Sequence, residues 1–99
     1  MTESSVQGTL MSAMVNGDVR AFERIYDLLS VVTYEICRHH LVTPSAIDEA
    51  MHGLWVYVWQ NAAMLSDYGD SPWAIITATA EHHAQFHAKT EELAREAVS

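Results

Sequence analysis

Basic side chains are scarce: five Lys and Arg stand against thirteen Asp and Glu, a net charge of −8 with the six histidines neutral. A domain of that sign repels a phosphate backbone unless its few cations cluster, so nucleic acid is a poor partner on composition alone. There are only four glycines and two prolines, which argues against a turn-rich β architecture. A single cysteine, Cys37, excludes an internal disulfide and fits a reducing cytoplasm. No apolar run approaches the ~20 residues of a membrane-spanning helix. The opening stretch MTESSVQGTL has no basic region, which argues against a secretory signal.

What is present is a chain of 99 residues, 49% hydrophobic and 18% charged, enough for one modest core spanning 1–99. Val6, Leu10, Met11 and Met14 recur at helical spacing and predict a short, weakly amphipathic helix over 5–16. NGD at 16–18 stops it: Gly17 suits a left-handed turn, and Asp18 can cap the next helix. From 18 to 41, Phe22, Ile25, Tyr26, Leu29, Val32, Ile36 and Cys37 keep a spacing of three to four and form one apolar stripe. TPSAIDEA opens a further helix, with Thr43 or Ser45 as its cap and Pro44 in its first turn.

That helix, expected over 45–65, contains the block LWVYVW, which is too short to cross a bilayer and lacks flanking β-turn signals. As a helix it aligns Ile47, Met51, Leu54, Trp55, Val58, Ala62 and Leu65 toward a core, and turns Tyr57 and Trp59 aside as a second contact surface. SDYGDSP is the one strong loop signal, with Pro72 starting a final helix over 71–90 that carries Trp73, Ile76, Ala80, His83 and His87, and with Leu93 as a candidate continuation of the stripe beyond it. The segment 90–99 is expected to fray. The fold class is therefore all-α, a small bundle of three long helices plus a short N-terminal one, with Phe22, Ile25, Leu29, Ile36, Met51, Leu54, Trp55, Val58, Trp73 and Ile76 buried together.

The order GDVRAFERIYDLLSVVTYEICRHHL, AIDEAMHGLWVYVW, DSPWAIITATAEHHA resembles region 2 of the extracytoplasmic-function sigma factors of bacterial RNA polymerase. The likeness runs over 17–89. It rests on Gly17, Asp18, Ala21, Phe22, Glu23, Tyr26 and Asp27 in the first piece. Glu49, Trp55, Val58 and Trp59 carry it in the second, and Gly69, Ser71, Pro72, Trp73, Ile76, Thr77 and Ala80 in the third. The resemblance implies docking on the β′ clamp of polymerase through the third helix, with Glu49, His52, Gly53, Val56 and Trp59 as candidate partner-binding residues. It also implies contacts to the promoter −10 element through the 66–71 loop and the last helix, with Trp73, Thr77, His82, His83, His87 and Lys89 as candidates.

Charge weighs against the DNA half. The last helix reads AEHHAQFHAK, with Glu81 where the family has a base and only Lys89 firmly cationic. Promoter melting requires phosphate neutralisation. Histidine is the side chain whose ordinary pKa of ~6.5 lies closest to neutrality, so His82, His83 and His87 could make the face basic in acid. His83 and His87, four apart, share a helix face, but no acid or thiol accompanies them, so no metal is expected. Cys37 reads as a small buried hydrophobe, and Glu23 with Asp27, and Asp48 with Glu49, as solvated faces or caps. No catalytic grouping, phosphate loop or nucleotide fingerprint occurs, so neither an enzyme nor a cofactor is expected. Two functions remain ahead of a third, weaker one, a small metal- or ligand-binding helical bundle. One is a sigma-type domain that binds core polymerase and contributes to −10 recognition. The other is an interaction module on the same fold that binds polymerase, an anti-sigma protein or itself as a homodimer, without productive DNA binding.

Overall fold

The computed structural model describes residues 3–66 and 71–98, with side chains from 6 to 66 and from 71 to 97. Five helices form among them and no strand does: α1 Glu3–Val15, α2 Val19–His40, α3 Pro44–Gln60, α4 Ala62–Ser66 and α5 Pro72–Val98.

Local chemistry explains most of the boundaries. Gly17 adopts φ 86°, a region that a side chain resists. Asp18 then caps α2, its Oδ1 accepting from the backbone N–H of Arg20 at 2.9 Å and of Ala21 at 3.3 Å. Thr43 rather than Ser45 caps α3, with its hydroxyl accepting from Ala46 N–H at 3.3 Å and Pro44 occupying the first turn. Pro72 opens α5, where its missing N–H costs nothing.

Helix α3 runs antiparallel to both α2 and α5. Phe22 at the start of α2 meets Trp59 at the end of α3, and Tyr57 of α3 meets His83 in the middle of α5. The larger core lies between these helices and α1, built on Met11, Ile25, Leu54, Val58 and Ile76, each at most 1% exposed. A smaller cluster of Cys37, Leu41, Ile47, Ala50 and Ala84 fills the other end. Ile36 and Met51 pack against both.

Several expectations are corrected by tertiary packing. The buried line of α2 is Ala21, Ile25, Leu29, Thr33 and Cys37, an i+4 row; Tyr26 and Val32 sit beside it and stay exposed. Thr33 is tolerated in that row because its hydroxyl donates to the carbonyls of Leu29 and Ser30. Of the ten residues expected to be buried together, Phe22, Ile36, Met51 and Trp73 are only half-buried, at the core's margin. In α1, Val6 is exposed while Gln7 is buried. Gln7 Oε1 accepts a hydrogen bond from the Ser71 hydroxyl, which ties α1 to the start of α5.

The helix expected over 45–65 breaks at Asn61, whose φ of −113° and ψ of 22° leave the helical region. Both the backbone N–H and the side-chain Nδ2 of Asn61 donate to the Tyr57 carbonyl, at 2.9 and 3.0 Å. Such self-capping is what Asn offers a helix end.

The segment 90–99, expected to fray, continues α5 to Val98. Glu91 explains it. Its carboxylate accepts from the backbone N–H groups of Val42 and Thr43, at 3.1 and 3.0 Å, and from the Thr43 hydroxyl at 3.0 Å. Two donors that the start of α3 would leave to water are thus satisfied from α5. The overhanging end of this 27-residue helix lengthens the molecule to 54 × 22 × 22 Å. The Leu93 expected on its core stripe is solvent-exposed.

Candidate functional site

The third helix presents two different sides. On the first, His52, Val56 and Trp59 join Val19 and Phe22 of α2 around an open, mostly apolar groove of about 520 Å³, with Trp55 and Gln60 completing it. Phe22 wedges between the indoles, its ring 6.0 Å from Trp55 and 5.2 Å from Trp59, both edge-on. Tyr26 meets Trp55 edge-on at 5.1 Å. Edge-to-face packing of this kind restrains the side chains, so such an aromatic wall has less rotamer freedom to lose on binding. Trp59 and Val56 are each 38% exposed. Trp55 is only 6% exposed, yet its Nε1–H has no acceptor among the described residues. An unsatisfied buried donor costs about 1–3 kcal/mol.

Glu49 is exposed one turn before this groove. Gly53 belongs elsewhere: a Cβ built there would stand 3.5 Å from His83 Nδ1. That position faces α5, where a Cβ would make only an ordinary contact, so the five partner-binding candidates do not form one surface.

The second side of α3 faces α5. Gly53 and Tyr57 line a larger groove of about 770 Å³ with Met64 and Leu65 of α4 and the α5 face that carries His82, His83 and His87. The imidazoles of His82 and His83 lie 6.4 Å apart, edge to face, and Phe86 meets His87 at 5.6 Å. Burial holds His83 below the usual histidine pKa, and the neighbouring charges of His82 and His87 push the same way. Among the described residues, no three of His, Cys, Asp or Glu converge on a metal position.

The remaining α5 candidates scatter. Trp73 is half-buried against the larger core. The Thr77 hydroxyl donates back to Ala74 O at 3.0 Å. Lys89 is exposed two residues beyond the histidines. Glu81 is engaged on the α2 side, its Oε2 2.7 Å from His40 Nε2. Burial, and secondarily the charge of Glu81, raise the Cys37 thiol above its ordinary pKa, which leaves it an inert packing group.

Of the residues singled out from sequence, His52, Val56 and Trp59 line the first groove and Gly53, His82, His83 and His87 the second. Sequence reasoning missed the roles of Phe22 and Val19 in the first groove, of Glu91 as a cap and of Gln7 as a tether. Each of those depends on a partner distant in the chain, and nothing in local spacing signals it. No protein-family model, curated protein or solved structure matches the chain. No helix among the described residues is long and apolar enough to cross a membrane.

Proposed function

We propose that this chain is a sigma region 2-like docking domain that binds the β′ clamp of core RNA polymerase, or an anti-sigma protein that competes for it, through the groove between α2 and α3. The observation that carries the proposal is that groove: an edge-to-face Phe22–Trp55–Trp59 aromatic wall beside the exposed Val56. It lies on the helix to which the sequence resemblance assigns clamp docking. Apolar contact with the exposed parts of Val56 and Trp59 would supply the affinity. The −10 contact is the weaker half of the resemblance. Trp73 is half-buried, the Thr77 hydroxyl is turned onto its own helix, and the net charge is −8. Polymerase binding without productive DNA binding is therefore the favoured form.

The experiment is capture of core polymerase by the whole chain, with −10 non-template strand binding measured on the same sample by fluorescence anisotropy. The unmodified chain should capture polymerase or an anti-sigma protein, and show no DNA binding at pH 7.5 and physiological salt. Val56→Arg should abolish capture while the helical circular dichroism spectrum is kept. Failure of the unmodified chain to bind either protein overturns the reading, as does unimpaired capture by the Arg variant. Tight, sequence-specific DNA binding would restore the ordinary sigma function.

A further inference from the structure

We infer that the groove between α3, α4 and α5 is a binding site for a small organic anion with a flat apolar body, of which an aromatic carboxylate is the simplest form. Its volume, about 770 Å³, falls inside the ~300–1,000 Å³ range of small-molecule sites. Leu65, Ile75 and Ala78 give it an apolar floor, and Tyr57 and Phe86 stand along it as aromatic walls. Its polar lining is three imidazoles of α5, His82, His83 and His87, with the hydroxyl side chains of Tyr57 and Thr79.

The chemistry of that lining selects an anion. Among the lining residues there is no Asp, Glu, Lys or Arg; α3 contributes only Tyr57 as an ionisable group, α4 contributes none, and α5 contributes the three histidines. The nearest acid in sequence, Glu81, is bonded to His40 on the α2 side. A neutral imidazole offers one N–H donor and a protonated one offers two. A carboxylate among them receives charge-assisted hydrogen bonds. It also offsets the burial and mutual repulsion that hold His83 less basic than usual. Anion binding and proton uptake are therefore linked, and affinity rises as pH falls below the ordinary histidine value of ~6.5. The net charge of −8 opposes any anion at long range, but that field is screened beyond ~8 Å at physiological salt. The three histidines act within contact distance.

The test compares 2-naphthoate with its neutral isostere 2-naphthamide by isothermal titration calorimetry on the whole chain, at about pH 8 and about pH 5.5. Naphthoate should bind roughly tenfold more tightly at the lower pH, and naphthamide about equally at both. The double variant His83→Gln, His87→Gln should lose the pH response of naphthoate. Ala78→Phe, which fills the floor from an exposed position, should abolish binding of both probes with the helical spectrum unchanged. The inference is overturned if naphthoate does not bind at millimolar concentration at either pH, or if both probes respond equally to pH. It is also overturned if the double variant keeps the full response, which would assign the effect to overall charge.

Discussion

The two ends of the bundle are held together differently. At one end α1, α2, α3, α4 and α5 converge on large side chains, with Met11, Ile25, Leu54, Val58 and Ile76 at the centre. At the other, α2, α3 and α5 meet in a smaller cluster where Cys37, Ala50 and Ala84 pack beside Leu41 and Ile47. The small end is closed by polar bonds across its rim: His40 to Glu81, and Glu91 to Val42 and Thr43. Large residues hold their neighbours by the apolar area they remove from water. Small residues bring backbones close, so side chains such as Glu91 can reach a neighbouring helix terminus. The first device depends on volume and the second on polar geometry, and they should fail under different insults.

The largest effect is expected at the large end. Leu54 is fully buried, and Leu54→Ala should destabilise by about 2–5 kcal/mol, measured by urea unfolding. A loss much below that range would mean that the end tolerates a cavity and is not closely packed. At the small end the corresponding insult is added volume. Ala84 is also fully buried, and Ala84→Leu should cost about 1–3 kcal/mol by overpacking. A neutral outcome would show that the helices there separate freely.

The rim should respond to pH. The backbone N–H and hydroxyl of Thr43, with the Val42 N–H, hold the Glu91 carboxyl below its ordinary pKa. The folded form therefore binds that proton more weakly than the unfolded chain does. The stabilisation is present above the ordinary glutamate value of ~4.3 and is lost as pH falls through the lowered one. Amide exchange in residues 91–97 and at the start of α3 should accelerate in that acid window, ahead of the large end. Glu91→Gln should weaken the contact already at neutral pH and remove the acid dependence.

The smallest effect separates two glycines inside helices. A Cβ at Gly8 meets nothing within 4 Å, whereas one at Gly53 meets His83 at ordinary contact distance. Gly8→Ala should raise stability by about 0.5–1 kcal/mol in thermal unfolding, and Gly53→Ala by no more than that. A destabilising Gly53→Ala would mean that α3 and α5 have no slack at their crossing.

What could be seen from sequence was what local chemistry decides. Asp18, Thr43 and Pro72 start helices within three residues of themselves, and Gly17 turns the chain at its own φ. The row of Leu54, Trp55 and Val58 follows from helical period alone. What escaped was decided by neighbours distant in the chain. Tyr26 and Val32 satisfy the period as well as Ala21 and Thr33 do, and only the positions of α3 and α5 choose between them. The acid-rich stretch after Lys89 reads as a frayed end until Glu91 is seen against Thr43. Gly53 fits a partner surface or a helix crossing equally well by spacing; His83 across from it points to the crossing. Of the functional candidates, Trp59 and the histidines stood out by type, but Phe22 became part of a groove only once α2 lay beside α3.

The Glu91 cap also sets an order in time. Glu91 and Thr43 are 48 residues apart in the chain, so at ~5–20 residues per second of synthesis the start of α3 is made roughly 2–10 s before the carboxylate that closes it. In that interval Leu54, fully buried in the finished core, has no α5 to pack against. The newly made α3 presents that position as open apolar surface until the arrival of α5 covers it.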